Sequence, residues 1–306
     1  MKEGSRRAII AAFLANLGIA AAKFVGFAFT GAASMLAEAV HSLADTGNQA
    51  LLFLGGARAR KAADEEHPFG HGQERYFWGF VVAMILFSLG ALFAIYEGIE
   101  KLRTPHALES PMWAIAILGV AVVLEGISFR TALKEAKHLR GTDSWWEFIH
   151  HSKTPELPVV LLEDAGALIG LVFALIGIGL ALLTGNPRFD AIGSIAIGCL
   201  LGTIAAILAI EMKSLLIGEA AGTQDVVAVR AAITGAPRVQ RLIHMRTLHL
   251  GPEEVLVAVK IEFDPALTIT ELGHAIDAVE AAIRAAVPIV KLIYVEPDVY
   301  RPPAAP

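Results

Sequence analysis

Residues Ala32–Gly56 read AASMLAEAVHSLADTGNQALLFLGG, an apolar stretch long enough to cross a bilayer, with His41 and Asp45 four residues apart inside it. In a helix that spacing puts both side chains on one face. At 100° per residue, Glu38, His41, Asp45, Asn48 and Gln49 fall within an arc of roughly 100°. An ionisable group is expensive at membrane depth, an Asp costing about 2.5–3.5 kcal/mol on insertion scales. Polar groups on one arc of an otherwise apolar helix therefore face a cavity or another helix, not lipid. Interhelical hydrogen bonding is the bland use, and Asn48 and Gln49 would suffice for it. An imidazole beside a carboxylate exceeds that need and is a ligand set for a divalent metal.

A later apolar run carries a second acidic pair, Glu163-Asp164. Adjacent residues point about 100° apart, so only one of them aims straight at a shared site. Position 160, one turn before Asp164, is Val, so this segment does not repeat the His-x-x-x-Asp spacing. Glu163 either fills that gap from the side or pairs with Lys23 or with the fourth span; both readings stand. Glu125 carries the same ambiguity and reads as structural. Gly166, Gly170, Gly193, Gly198 and Gly202 read as close-packing positions.

The whole chain agrees with a membrane protein. It has 306 residues, 55% hydrophobic and 18% charged, and a mean hydropathy of +0.59. A net charge of -5 points to no nucleic-acid partner. The single cysteine, Cys199, leaves neither a disulfide framework nor a Cys-rich zinc knuckle. Six segments reach spanning length: Ala8–Thr30, Ala32–Gly56, Phe77–Glu100, Met112–Phe129, Leu157–Thr184 and Phe189–Glu211. The first is longer than a signal-peptide core of about 7–15 residues, and it carries Asn16 and Lys23 on one face, so it reads as a span.

Basic residues set the orientation. Lys2, Arg6, Arg7, Arg58, Arg60, Lys61, Arg75, Arg130, Lys134, Lys137, Arg140 and Lys153 fall on one side, against Lys101, Arg103 and Arg188 on the other. The positive-inside rule puts both termini in the cytosol, with the plasma or inner membrane as the location in a bacterium. Ala132–Thr154, with Trp145-Trp146 and His150-His151, reads as an interfacial stretch with an aromatic anchor; metal collection by the two histidines is the weaker alternative.

After Gly218 the composition changes. Gln224–Thr234 reads as a helix, Val239–Leu250 and Val255–Phe263 as alternating strands around Gly251-Pro252, Thr270–Ala286 as a helix and Ile289–Val295 as a strand. The expected architecture is a six-helix transmembrane domain over 1–217 and an α-β-β-α-β domain over 218–306.

The polar second span, the acidic fifth span and the C-terminal α+β domain together resemble the cation diffusion facilitator family, over nearly the whole chain. His67-Pro68-Phe69-Gly70-His71-Gly72 is similar to a His-x-Phe-Gly-His-Gly segment that follows the family's second span. Ala39–Gln49 with Leu161–Gly166 most resembles the zinc-transporter-nine-like branch. The resemblance implies a transport site shared by spans two and five, alternating access, proton antiport, a homodimer and a ferredoxin-like cytosolic domain. It carries the site onto His41, Asp45 and Asp164, with Val160 where a fourth ligand would stand and Glu163, Asn48 or water completing the shell. That departure puts tetrahedral zinc in question and admits Mn²⁺, Fe²⁺ or Co²⁺. Asp64, His67 and His71 match a second, cytosolic metal site of some members, against the alternative of a capped loop with satisfied histidines. His244, His249 and His274 do not fall where C-terminal ligands are expected, and Lys260 and Val295 stand where members carry His. The C-terminal domain is therefore expected to dimerise and to bind metal weakly or not at all.

The expected activity is efflux of Zn²⁺ against protons. A non-transporting membrane sensor or scaffold is the rival. An intramembrane metalloenzyme is disfavoured because no span carries a His-Glu-x-x-His motif.

Overall fold

The computed structural model describes residues 3–106, 111–140, 144–154 and 156–302. Lys2, the Arg6, Arg7 and His151 side chains and the tail from 303 lie outside the described residues. The chain forms two compact units, Met1–Gly56 with Phe77–Lys213, and Ala57–Tyr76 with Ser214–Pro306.

The first unit is helical: α1 (Glu3–Thr30), α2 (Ala33–Arg58), α3 (Glu74–Ile85), α4 (Phe93–Arg103), α5 (Pro111–Arg140), α6 (Trp145–His151), α7 (Glu156–Thr184) and α8 (Arg188–Ile217). A π-helical stretch, Leu86–Leu92, joins α3 to α4 without a break. Among the described residues four helices are long and apolar enough to cross a membrane: Glu74–Arg103, Met112–Lys134, Glu156–Thr184 and Arg188–Ile217. Asn16–Thr30 is a shorter apolar helix, and α2 differs from the rest in carrying the polar stripe. The helix α5 runs on to Arg140, past the apolar segment that ends at Phe129. After it, Ser144 and Glu147 form a reciprocal capping box that starts α6.

Lipid tails are as apolar as Leu, so packing rather than water exclusion holds such helices together. Leu118, Leu171, Ile178, Ile197, Leu201 and Leu208 are buried in one cluster. Small residues let backbones approach: a Cβ on Gly193 would stand 3.1 Å from the Phe173 carbonyl, and one on Gly198 2.8 Å from the Ala91 carbonyl.

Gly31 turns α1 into α2 with φ +60°, a conformation that favours glycine. The first amides of α2 are capped from another helix. Asp190 of α8 accepts from Ala33 N at 2.8 Å and Ser34 N at 3.3 Å, and it is hydrogen-bonded to the Ser34 hydroxyl. Lys101 of α4 lies 3.0 Å from the same carboxylate and donates to the Gly31 carbonyl. One buried carboxylate thus serves the orphan donors of a helix N-terminus, where negative charge is favoured.

The second unit holds α9 (Thr223–Thr234), β1 (Val239–Gly251), β2 (Glu254–Phe263), α10 (Ile269–Ala286) and β3 (Val290–Pro297). The sheet order is β1-β2-β3, with β1 antiparallel and β3 parallel to β2. Along β2, Val255, Val257, Val259, Ile261 and Phe263 alternate inward, where they meet Val229 and Ile233 of α9 and Val279 and Ile283 of α10. Each such buried side chain contributes about 1.5–3 kcal/mol. Strand β1 does not alternate as expected, because three register irregularities interrupt it. The helix α10 starts one residue earlier than expected: Thr268 is its N-cap and forms a capping box with Glu271.

Ala57–Tyr76 packs within this unit. A Cβ on Gly72 would lie 2.6 Å from the Leu250 carbonyl, so the loop meets the β1–β2 turn through its backbone.

Candidate metal centre

The stripe on α2 points into the first unit. Glu38, His41 and Asn48 are buried, and Asp45 is largely so. His41 Nε2 lies 3.4 Å from Asp45 Oδ2 across one helical turn. Neither ring nitrogen of His41 makes a hydrogen bond, and Asp45 Oδ1 and Asn48 Oδ1 are likewise buried without one. Buried polar atoms are normally satisfied, so this concentration of lone pairs calls for a cation or a proton.

Asp45 opens onto a cleft. From α2 it is lined by Ser42, Asp45 and Gln49, from α7 by Val160, Glu163 and Asp164, from α5 by Glu125 and Ser128, and from α1 by Asn16. Asp45, Glu163 and Asp164 thus share one space. Val160 stands on the same wall as an apolar patch. Asn48 and His41 do not line the cleft. Asn48 joins it by donating to Glu163 Oε1 at 2.6 Å, and His41 joins it through Asp45. Asp164 accepts from Ser128 Oγ at 3.1 Å. Among the described residues, no three His, Asp or Glu groups around this cleft come within 4.8 Å of one another.

Glu163 is not the partner of Lys23. The Lys23 ammonium is held by Glu38 at 3.1 Å, Ser42 Oγ at 2.6 Å and, more loosely, Glu125 at 4.0 Å. Ser42 and Ser128 are polar contacts that the sequence does not mark by itself. Ser42 stands next to His41 and Ser128 one turn after Glu125, and that proximity is the signal the sequence carries.

Asp64, His67 and His71 do come together. Their ligand atoms lie within 4.8 Å of one another, which no other described group of three His, Cys, Asp or Glu residues achieves. Asp64 Oδ1 accepts from His67 N at 2.7 Å, Asp64 Oδ2 lies 3.1 Å from His71 Nε2, and the two imidazoles are 4.4 Å apart between centroids. The His67 amide, and then the His71 ring, push the Asp64 carboxyl down to about 2. It is therefore ionised at neutral pH, the state that binds metal.

Two further positions differ in use from their sequence readings. His150 pairs with Glu211 of α8. Lys260 sets its ammonium between Glu296 at 2.9 Å and Asp298 at 3.1 Å, which raises its pKa.

Residues 9–217 match the cation efflux transmembrane domain, and residues 222–298 match the cytoplasmic domain of cation efflux proteins. The chain is 36% identical over 245 residues to the mitochondrial proton-coupled zinc antiporter SLC30A9 of Xenopus laevis, covering 79% of this chain and 44% of that protein. It is 30% identical over 267 residues to metal tolerance protein C4 of Arabidopsis thaliana, covering 87% of this chain and 58% of the relative. It is 26% identical over 258 residues to the cation-efflux pump FieF of Pectobacterium atrosepticum, covering 83% and 80%. The chain thus spans less than half the length of the SLC30A9 relative.

Proposed function

Because this chain belongs to the cation diffusion facilitator family, we propose that it is an antiporter that carries Zn²⁺ out of the cytosol in exchange for protons. The relatives named as proton-coupled zinc antiporters support the choice of cargo. The family is one of transporters, so no catalytic chemistry is assigned. The observation that carries the reading is the buried His41–Asp45 pair on α2, facing Glu163 and Asp164 of α7 around one cleft.

On this reading all six long helices span the membrane, both termini are cytosolic, and the chain works as a homodimer. Residues 1–217 form the transport domain, and 218–306 form a ferredoxin-like cytosolic domain that dimerises and regulates. The α-β-β-α-β order with a three-stranded sheet supports that fold. Asp45 and Asp164 hold the ion, His41 supplies the imidazole that suits zinc, and Glu163 completes the shell while Asn48 orients it. Metal binds the deprotonated ligands, so loading releases protons and protonation releases metal. The bundle rocks around this site to open it to each side in turn.

The test is Zn²⁺ and Mn²⁺ uptake into proteoliposomes under an imposed pH gradient, with Asp45→Ala alongside. Gradient-driven flux that depends on Asp45 is expected. No flux of either ion by folded, inserted protein would move the assignment to a membrane sensor or scaffold.

A further inference from the structure

Lys23 is fully buried on α1 and is not a ligand. Two of its three partners, Ser42 and Glu125, also line the cleft that holds Asp45, Glu163 and Asp164. Of the four carboxylates on that wall, Glu125 is therefore the one already facing a cation that is part of the protein. The third partner, Glu38, gives one oxygen to Lys23 and turns the other, without a hydrogen bond, against Gly170 of α7, where no Cβ stands in its way. Three helices, α1, α2 and α5, thus converge on one ammonium.

We propose that Lys23 determines which metal this cleft accepts, by keeping the Glu125 carboxylate out of the ion's coordination shell. The inference rests on the cleft being the metal-binding site that the proposed function assigns. A carboxylate engaged by an ammonium offers fewer lone pairs to a second cation, and the two cations repel. With Glu125 withheld, the shell is short of oxygen and leans on the His41 imidazole, which suits zinc. With Glu125 released, the shell gains a hard oxygen ligand and shifts toward Mn²⁺. A purely structural Lys23 would tie α1, α2 and α5 together without touching this preference.

The experiment is equilibrium binding of Zn²⁺ and Mn²⁺ to the purified full chain, counting only the component lost in Asp45→Ala. Lys23→Met should raise the Mn²⁺-to-Zn²⁺ affinity ratio by about tenfold, within the range that outer-shell changes at metal sites produce. Adding Glu125→Gln to Lys23→Met should return the ratio to the wild-type value, and Lys23→Arg should hold it there. Breaking a buried ion pair can prevent folding, whereas removing both partners is better tolerated. Lys23→Met/Glu38→Gln therefore serves as the second variant, with the same expectation. An unchanged ratio in either folded variant, or a raised ratio that Glu125→Gln does not reverse, overturns the inference. Wild-type protein that binds metal through Asp45 but carries no flux would instead defeat the transport reading and leave this one standing. Wild-type protein with no Asp45-dependent binding defeats both.

Discussion

Asn48 of α2 and Glu163 of α7 are joined by a 2.6 Å hydrogen bond in the buried interior, a side-chain link between the two helices that carry the acidic pairs. It turns Glu163 toward the cleft that Asp45 and Asp164 share. Removing the amide leaves a buried carboxyl without its donor, which costs about 1–3 kcal/mol. Asn48→Ala should therefore lower the thermal unfolding midpoint in detergent and weaken Zn²⁺ binding together. A variant with wild-type stability and affinity would mean that Glu163 needs no orienting partner.

Asp45→Ala and Asp164→Ala should each abolish Zn²⁺ flux while leaving membrane insertion and yield intact. Both side chains line the cleft, and among the described residues neither caps a helix or closes an interhelical ion pair. Radiometal uptake with a parallel insertion assay checks this, and retained flux in either variant removes that residue from the site.

Asp190→Ala should be far more damaging to folding than to metal chemistry. It removes the cap of α2 and strands the buried Lys101 ammonium. Losing one partner of a buried pair costs about 3–5 kcal/mol. The readout is the fraction of monodisperse protein after extraction. Asp190→Asn/Lys101→Met, which removes the charges together, should recover much of the loss, and no recovery would mean that the pair is not the origin of the defect.

Asp64 gives a pH signature outside the membrane. Its carboxyl is held down to about 2, first by the His67 amide and then by the His71 ring. A depressed carboxylate stabilises its loop fully above the ordinary value of 3.8 and loses that contribution as pH falls through about 2. Carboxyl NMR titration should place the Asp64 midpoint well below 3.8 and move it upward in His71→Ala. A wild-type midpoint at or above 3.8 would contradict the loop geometry.

The helical bundle and one half of the candidate site, the His41–Asp45 pair, are legible in the sequence. His41 and Asp45 are four apart on one helix, so local periodicity alone puts them together. Lys23 with Glu38 and Ser42 joins two consecutive helices across a turn, and Asp190 with Ala33 and Ser34 joins helices distant in the chain, and the periodicity within one helix encodes neither. The same limit hid the grouping of Ala57–Tyr76 with the C-terminal unit, since chain order put it between two helices of the bundle. The extension of α5 to Arg140 was obscured because its polar last turns break the apolar run without breaking the helix. The start of α10 is different: Thr268 and Glu271 stand three apart, as a capping box requires, so the sequence itself carries that signal.

The most direct test of the central claim is simultaneous recording of Zn²⁺ and H⁺ in proteoliposomes containing the full chain, with a zinc dye and a pH dye in the same vesicles. The account predicts that zinc entry drives proton exit in a fixed ratio, that both signals vanish in Asp45→Ala, and that an imposed proton gradient drives zinc uphill. Zinc movement with no accompanying proton movement, or undiminished in Asp45→Ala, would contradict it.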